Sequence, residues 1–224
     1  MTFQITVQPS GHQFPCEADE TVLTAALRAG IGLPYGCKNG ACGSCKGKVV
    51  EGVVGHKAHQ QRALSEDERA HGMALFCCAV PDGDLVIEAR EIAGSSEYPV
   101  RKMPSRVASI DKVAPDVAVV TLQLPANEAL AYRAGQYIEF LLKDGKRRSY
   151  SMASAPSLEG PVTLHIRYMA GGLFTEHVFN AMKERDILRF EGPHGTFFLR
   201  EESDKPIVLL ASGTGFAPIK ALVE

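Results

Sequence analysis

The spacing of its cysteines constrains this 224-residue chain more than any other feature. Cys37, Cys42 and Cys45 form a Cys-x4-Cys-x2-Cys run, and Cys77 follows after 31 residues with Cys78 beside it. With Cys16, all six cysteines fall in the first 78 residues. A disulfide scaffold needs an oxidising compartment. The opening Met1-Thr2-Phe3-Gln4-Ile5 has neither the basic nor the apolar region of an export signal, so the expectation is a cytoplasmic chain with metal or redox chemistry. The spacing matches thiolate ligation of a [2Fe–2S] cluster, in which four sulfurs surround two irons. Zinc is the competitor, but zinc sites usually pair two Cys-x2–4-Cys knuckles, and here three ligands share one loop. A loop that wraps so closely needs residues at positive φ, which Gly36, Gly40 and Gly43 can supply. Cys77 and Cys78 compete for the fourth position.

Hydrophobic patterning divides the chain. Thr2 to Gln8 alternates, with Phe3, Ile5 and Val7 on one face of a strand. Pro9-Ser10-Gly11 turns it into a second strand over 12–17. Asp19 can cap a helix over 20–29, ended by Gly30. Gly47 to Val54 reads as a strand, Ser65-Glu66-Asp67-Glu68 as a capping box, and Leu75 to Cys78 and Asp84 to Ala89 as short strands. Residues 93–100 have linker composition. From Arg106 the pattern is β-dominated, with strands at 106–113, 117–124, 136–142, 146–152, 161–168 and 186–190 and a helix over 173–183; such spacing suggests a small antiparallel barrel. Ile207 to Ala211 is a continuous apolar run, as in a strand buried on both faces. Gly213-Thr214-Gly215 and a helical start near Pro218 follow. A strand and half a helix are too little for a domain core, so the expectation is an incomplete chain.

The segments Leu33-Pro34-Tyr35-Gly36-Cys37 and Gly40-Ala41-Cys42-Gly43-Ser44-Cys45 are the signature by which residues 3–92 resemble a plant-type ferredoxin domain, an α+β (β-grasp) fold. That resemblance selects Cys77, which stands four residues before Pro81, and gives the ligand set Cys37, Cys42, Cys45 and Cys77. Cys78 and Cys16 then read as buried small apolar residues. Lys38, Lys46, Lys48 and Lys57 flank the cluster loop, unlike the acidic rim of photosynthetic carriers. They are either solvated side chains or a different partner surface.

Further on, Ala134-Gly135-Gln136-Tyr137, Arg148-Ser149-Tyr150-Ser151, Gly171-Gly172-Leu173-Phe174-Thr175 and Gly192-Pro193-His194-Gly195-Thr196-Phe197 follow in order. Together they resemble the flavin barrel of the ferredoxin-NADP reductase family over residues 101–200. The resemblance implies FAD, with FMN as the lesser alternative. Arg148 suits a flavin phosphate, Tyr150 the isoalloxazine face and Ser151 a bond near the reactive ring nitrogen. Gly171, Gly172 and Thr175 mark a helix start suited to phosphate. Tyr150 and Ser151 are the candidate catalytic residues. Gly213, Thr214 and Gly215 resemble the first nicotinamide-phosphate loop of the same family. His165 receives no role, and the other six histidines lack metal-ligand spacing.

The implied organisation is a ferredoxin domain at 1–93, a linker at 94–100, a flavin barrel at 101–203 and the first β-α unit of an α/β nucleotide domain at 204–224. This order resembles electron-transfer reductases that take NADH or NADPH and serve a dehydratase or oxygenase component. The CDP-6-deoxy-delta-3,4-glucoseen reductases stand closest in wording, with the reductases of aromatic-ring oxygenases next and a plain electron carrier as the remaining alternative. A formal net charge of −2 argues against nucleic acid as partner, and no apolar run approaches the length of a bilayer span.

Overall fold

The computed structural model describes every residue except Ser96 and Glu159. The chain divides into two units, Met1–Glu97 and Tyr98–Glu224. The expected linker at 94–100 includes Ser96, which lies outside the described residues.

In the first unit, β1 (Thr2–Gln8) and β2 (Gln13–Glu17) form an antiparallel hairpin. Their alternation buries Ile5, Val7, Phe14 and Cys16 completely or nearly so. Helix α1 (Val22–Arg28) is capped by Thr21, whose hydroxyl accepts from the Thr24 N–H at 3.3 Å. The expected cap, Asp19, sits two residues too early: Glu20 N–H closes a turn onto Glu17 C=O there instead. The chain continues through β3 (Lys46–Glu51), β4 (Val54–His56), α2 (Glu66–Ala70), β5 (Met73–Leu75), β6 (Ala79–Pro81) and β7 (Leu85–Glu88). The main sheet runs in the order β2-β1-β7-β3-β5, with β1 parallel to β7 and the other pairs antiparallel. Val22, Leu23, Ala25 and Ala26 of α1 join its core. A fully buried side chain such as Phe76 contributes roughly 1.5–3 kcal/mol there. The expected strand Leu75–Cys78 ends at Leu75, where a turn closed by Cys78 N–H on Leu75 C=O carries the two cysteines.

The second unit holds β8 (Arg101–Ala114), β9 (Val117–Gln123), β10 (Tyr137–Leu141), β11 (Arg147–Ser151), β12 (Val162–Arg167), α3 (Leu173–Asn180), β13 (Ile187–His194) and α4 (Phe216–Val223). Its six-stranded antiparallel sheet runs β11-β10-β13-β8-β9-β12. Period-two patterning points Ala118, Val120 and Leu122 of β9 and Val162, Leu164 and Ile166 of β12 into one core with Phe140, Phe174 and Phe190. Past the end of β11, Met152 bridges to Leu164 and Ala153 N–H donates to Thr163 C=O at 2.7 Å. The apolar run Ile207–Ala211 departs from expectation. It takes no strand conformation, and Val208 and Leu210 are 90% and 88% exposed. A strand is held by its ladder, and no described strand pairs with this run. Gly213–Gly215 forms a 3-10 turn into α4, which buries Ala217, Ile219 and Ala221.

Candidate metal centre and flavin site

Three of the candidate thiols lie on the loop between α1 and β3. Gly40 turns it at φ +74°, where a Cβ would stand 2.7 Å from His59 Cβ and 2.8 Å from Cys78 Sγ, so only glycine fits. Gly43 also takes positive φ; Gly36 does not, and Lys38 takes the third such position at φ +58°. The loop turns its N–H groups onto sulfur. Ala41 and Cys42 N–H each donate to Cys37 Sγ at 3.3 Å, Cys37 N–H to Cys42 Sγ at 3.4 Å and Ser44 N–H to Cys42 Sγ at 3.5 Å. Burial alone would push the Cys42 thiol up; bonds from Ser44 and Cys37 outweigh it and hold the thiol below its ordinary value.

Cys77 reaches the loop from the turn after β5, held there by Phe76 N–H on Cys45 C=O at 3.0 Å. A hydrogen bond with Cys45 lowers the Cys77 thiol to about 6, against burial, and a Gly40 backbone bond assists. The same bond, with burial, raises Cys45. Cys78 differs. Burial and then the charge of Cys77 push it up to about 12, and its Sγ donates to Ala58 C=O at 3.6 Å. The four candidate thiols therefore gather as two hydrogen-bonded pairs, Cys37 with Cys42 and Cys45 with Cys77. A single tetrahedral zinc would need four sulfurs about 3.8 Å apart around one centre. Among the described residues no three of them lie within 4.8 Å of one another. Two pairs suit two irons.

In the second unit, alternation along β11 separates two arginines. Arg147 turns to Glu139 of β10 at 3.2 Å and Glu191 of β13 at 2.8 Å. Arg148, on the other face, makes no ion pair among the described residues; its guanidinium donates only to the Arg147 carbonyl, at 2.7 Å. Beside it Tyr150 packs against Phe140 and Phe174, with ring centroids 6.0 and 5.5 Å away. Burial pushes its phenol up to about 12, with the Arg148 charge opposing. The Tyr150 hydroxyl and Ser151 make no side-chain hydrogen bond among the described residues. A half-buried cation with no carboxylate, next to an aromatic ring whose hydroxyl has no hydrogen-bond partner among the described residues, fits a flavin phosphate and ring. Helix α3 begins at Gly172 without a side-chain cap. A Cβ at Gly172 would lie 2.6 Å from Thr175 Oγ1, so this tight start needs glycine. Thr175 is buried, and its hydroxyl donates to the Met169 and Gly172 carbonyls, so it shapes the turn. Gly171 N–H donates to Glu176 at 3.1 Å. Gly213, Thr214 and Gly215 sit beside β12, where Phe216 stacks on His165.

Sequence reasoning missed the buried group formed by Glu139, Glu191 and His194 with Arg147. Its signal was an acid in the apolar strand Tyr-Ile-Glu-Phe-Leu, in register with Ser149 two residues past Arg147.

Comparison with known proteins agrees with this division. Residues 5–82 match the family described as 2Fe-2S iron-sulfur cluster binding domain, and residues 104–199 the oxidoreductase FAD-binding domain. The chain is 40% identical, over all its 224 residues and 67% of the relative, to CDP-6-deoxy-L-threo-D-glycero-4-hexulose-3-dehydrase reductase of Yersinia pseudotuberculosis. It is 34% identical, over its full length and 66% of the relative, to terephthalate 1,2-dioxygenase reductase component 1 of Comamonas. The Amycolatopsis cytochrome P450 reductase GcoB superposes with a TM-score of 0.77 at 35% identity, over 99% of this chain and 67% of that one. The chain belongs to the family of iron–sulfur flavoprotein reductases, electron-transfer oxidoreductases that carry a [2Fe–2S] cluster and FAD. It spans about two thirds of the length of these relatives. No described helix is long and apolar enough to cross a membrane.

Proposed function

We propose that this chain is the cluster- and flavin-bearing part of a cytoplasmic reductase that passes electrons from NAD(P)H to a protein acceptor, and that the acceptor is a dehydratase acting on a CDP-linked 6-deoxyhexulose. The observation that carries the acceptor assignment is the 40% identity across all 224 residues to a reductase of that kind. Cys37, Cys42, Cys45 and Cys77 hold the cluster, and Cys78 stays a protonated neighbour. Arg148 binds a flavin phosphate, Tyr150 covers the ring, and Ser151 hydrogen-bonds near its reactive nitrogen. Gly171 and Gly172 shape the helix start that faces phosphate, with Thr175 fixing that turn. Gly213, Thr214 and Gly215 form one wall of the nicotinamide-nucleotide site. Bound FAD supplies exchange between the two-electron chemistry of nicotinamide and the one-electron chemistry of the cluster. The residues divide as ferredoxin domain 1–93, linker 94–100, flavin domain 101–203 and nucleotide-domain start 204–224. The Met152–Leu164 bridge supports curling of the six-stranded sheet into a barrel.

The test is NADH- or NADPH-driven reduction of a CDP-hexulose dehydratase by the protein carrying this chain. Reduction of the dehydratase is expected. Electron delivery to an aromatic oxygenase component instead would favour the second reading, which rests on the 34% identity to the terephthalate system. Failure to accept electrons from either nucleotide would overturn the nicotinamide assignment.

A further inference from the structure

The segment Lys57 to Leu64 lies directly on the cysteine loop. Gln60 N–H donates to Gly40 C=O at 3.0 Å, Lys57 N–H donates to Cys78 C=O at 2.9 Å, and Cys78 Sγ donates to Ala58 C=O at 3.6 Å. Lys57, Ala58, Gln60, Gln61 and Arg62 are all exposed. So is Cys42, the most open of the candidate ligands. Electron transfer falls off steeply with distance, so an acceptor must approach an edge of this kind.

The two chain segments that build this edge carry charge of one sign, with Asp19 of a third segment beside Lys57. Residues 52–65 contain Lys57 and Arg62 and no Asp or Glu, and residues 36–45 contain Lys38 and none. Lys57 Nζ donates to the Asp19 backbone carbonyl at 3.2 Å. Of the other nearby cations, Lys46 is neutralised by Glu68 at 2.5 Å, and Lys48 stands in register with Glu88 on the neighbouring strand. The acids that follow have their own partners or surroundings. Glu68 is held by Lys46, Asp67 lies 3.6 Å from His71, and Glu66 lines a cleft with Val49, Val54 and Arg69. Across residues 36–64 five Lys and Arg face one acid, whereas the rest of residues 1–94 holds three against ten. A unit polarised in this way turns its basic edge toward an acidic surface and repels a basic one.

We propose that the Lys57–Arg62 edge is the docking face for the protein electron acceptor, and that the acceptor presents an acidic face to it. This rests on the cluster reading above and adds the chemistry of the partner. Two readouts test it on the cluster- and flavin-loaded protein. In the first, dithionite-reduced protein is reoxidised in stopped flow by the anion Co(EDTA)− or the cation Co(NH3)6 3+, each cobalt(III) taking one electron. The anion should react faster at low salt and slow as salt rises, and the cation should show the opposite slope. Lys57→Glu with Arg62→Glu should reverse the preference, and the milder Lys57→Gln with Arg62→Gln should flatten it. In the second, unreduced protein binds immobilised cytochrome b5, an acidic protein, in surface plasmon resonance. The charge reversal should weaken that binding roughly tenfold at low salt, and Lys57→Arg should retain it. Rates blind to the charge of the cobalt complex, or binding unchanged by the reversal, would overturn the docking face while leaving the electron-transfer reading standing. A protein that takes up no cluster, or whose cluster dithionite does not reduce, would overturn that reading itself.

Discussion

Cys77 and Cys78 are adjacent thiols in opposite environments. Cys77 receives hydrogen bonds from Cys45 and the Gly40 backbone, whereas Cys78 is pushed up to about 12 by burial. Cys77→Ser should abolish or sharply weaken the visible absorption of the cluster and Cys78→Ser retain it; equal loss in both would sink the ligand assignment. The chain order alone left these two thiols equivalent, and resemblance chose between them. At Arg148 the expected loss on substitution by Ala is one charge-assisted contact, about 1.5–3 kcal/mol or ten- to a hundredfold in FAD affinity by fluorescence titration. Unchanged affinity would remove Arg148 from the site. Tyr150 gives a pH prediction. Its phenol titrates near 12 in the fold and near 10 in an unfolded chain. Between those values the unfolded state has lost the proton and the native state keeps it. Its contribution to stability is therefore complete below pH 10 and is lost as pH rises through 12. Urea midpoints of the native protein should fall more steeply over that range than those of Tyr150→Phe, and parallel curves would contradict the burial of the hydroxyl.

Local signals set most elements. The Ser65–Glu68 capping box forms as its sequence implies: Ser65 Oγ accepts from Glu68 N–H at 3.2 Å, and Ser65 N–H donates to Glu68 at 2.9 Å. Ser65→Ala should cost about 0.5–2 kcal/mol, read as a lower thermal midpoint with faster amide exchange across α2. A midpoint within error of wild type would show that the Lys46–Glu68 pair, not the cap, anchors the helix. Where elements departed from expectation, a nearer or longer-range partner decided. Thr21 displaced Asp19 as the α1 cap because it adjoins the first turn, and β5 stopped at Leu75 because Cys78 closes a turn back onto it. Alternation resolved β9 and β12 well, since a one-residue slip would turn each strand's apolar set outward.

At the scale of the whole molecule, the two units have separate cores, one around Phe14, Phe76 and Ile87 and one around Phe140, Phe174 and Phe190. Separate cores predict that urea unfolding is not two-state. Loss of cluster absorbance and release of flavin should have different midpoints. Coincident transitions by both probes would show that the units unfold as one. Charge follows the same division. A formal net charge of −2 conceals a first unit whose cluster edge is basic and whose remainder is acidic.

The sequence by itself determined the cysteine spacing, the order of the flavin segments, the alternating strands and the capping box, because these depend on residues a few positions apart. Only the tertiary structure decided which thiols pair, which of two neighbouring arginines is neutralised, and whether the apolar run after Pro206 becomes a strand. Cys45 meets Cys77 across 32 positions of chain, Arg147 meets Glu191 across 44, and Ile207–Ala211 finds no ladder among the described strands. Spacing supplies the candidates. Register and packing between distant segments fix which groups are brought within bonding distance, and that choice is what leaves Arg148 without a carboxylate partner among the described residues while Arg147 is held between two carboxylates.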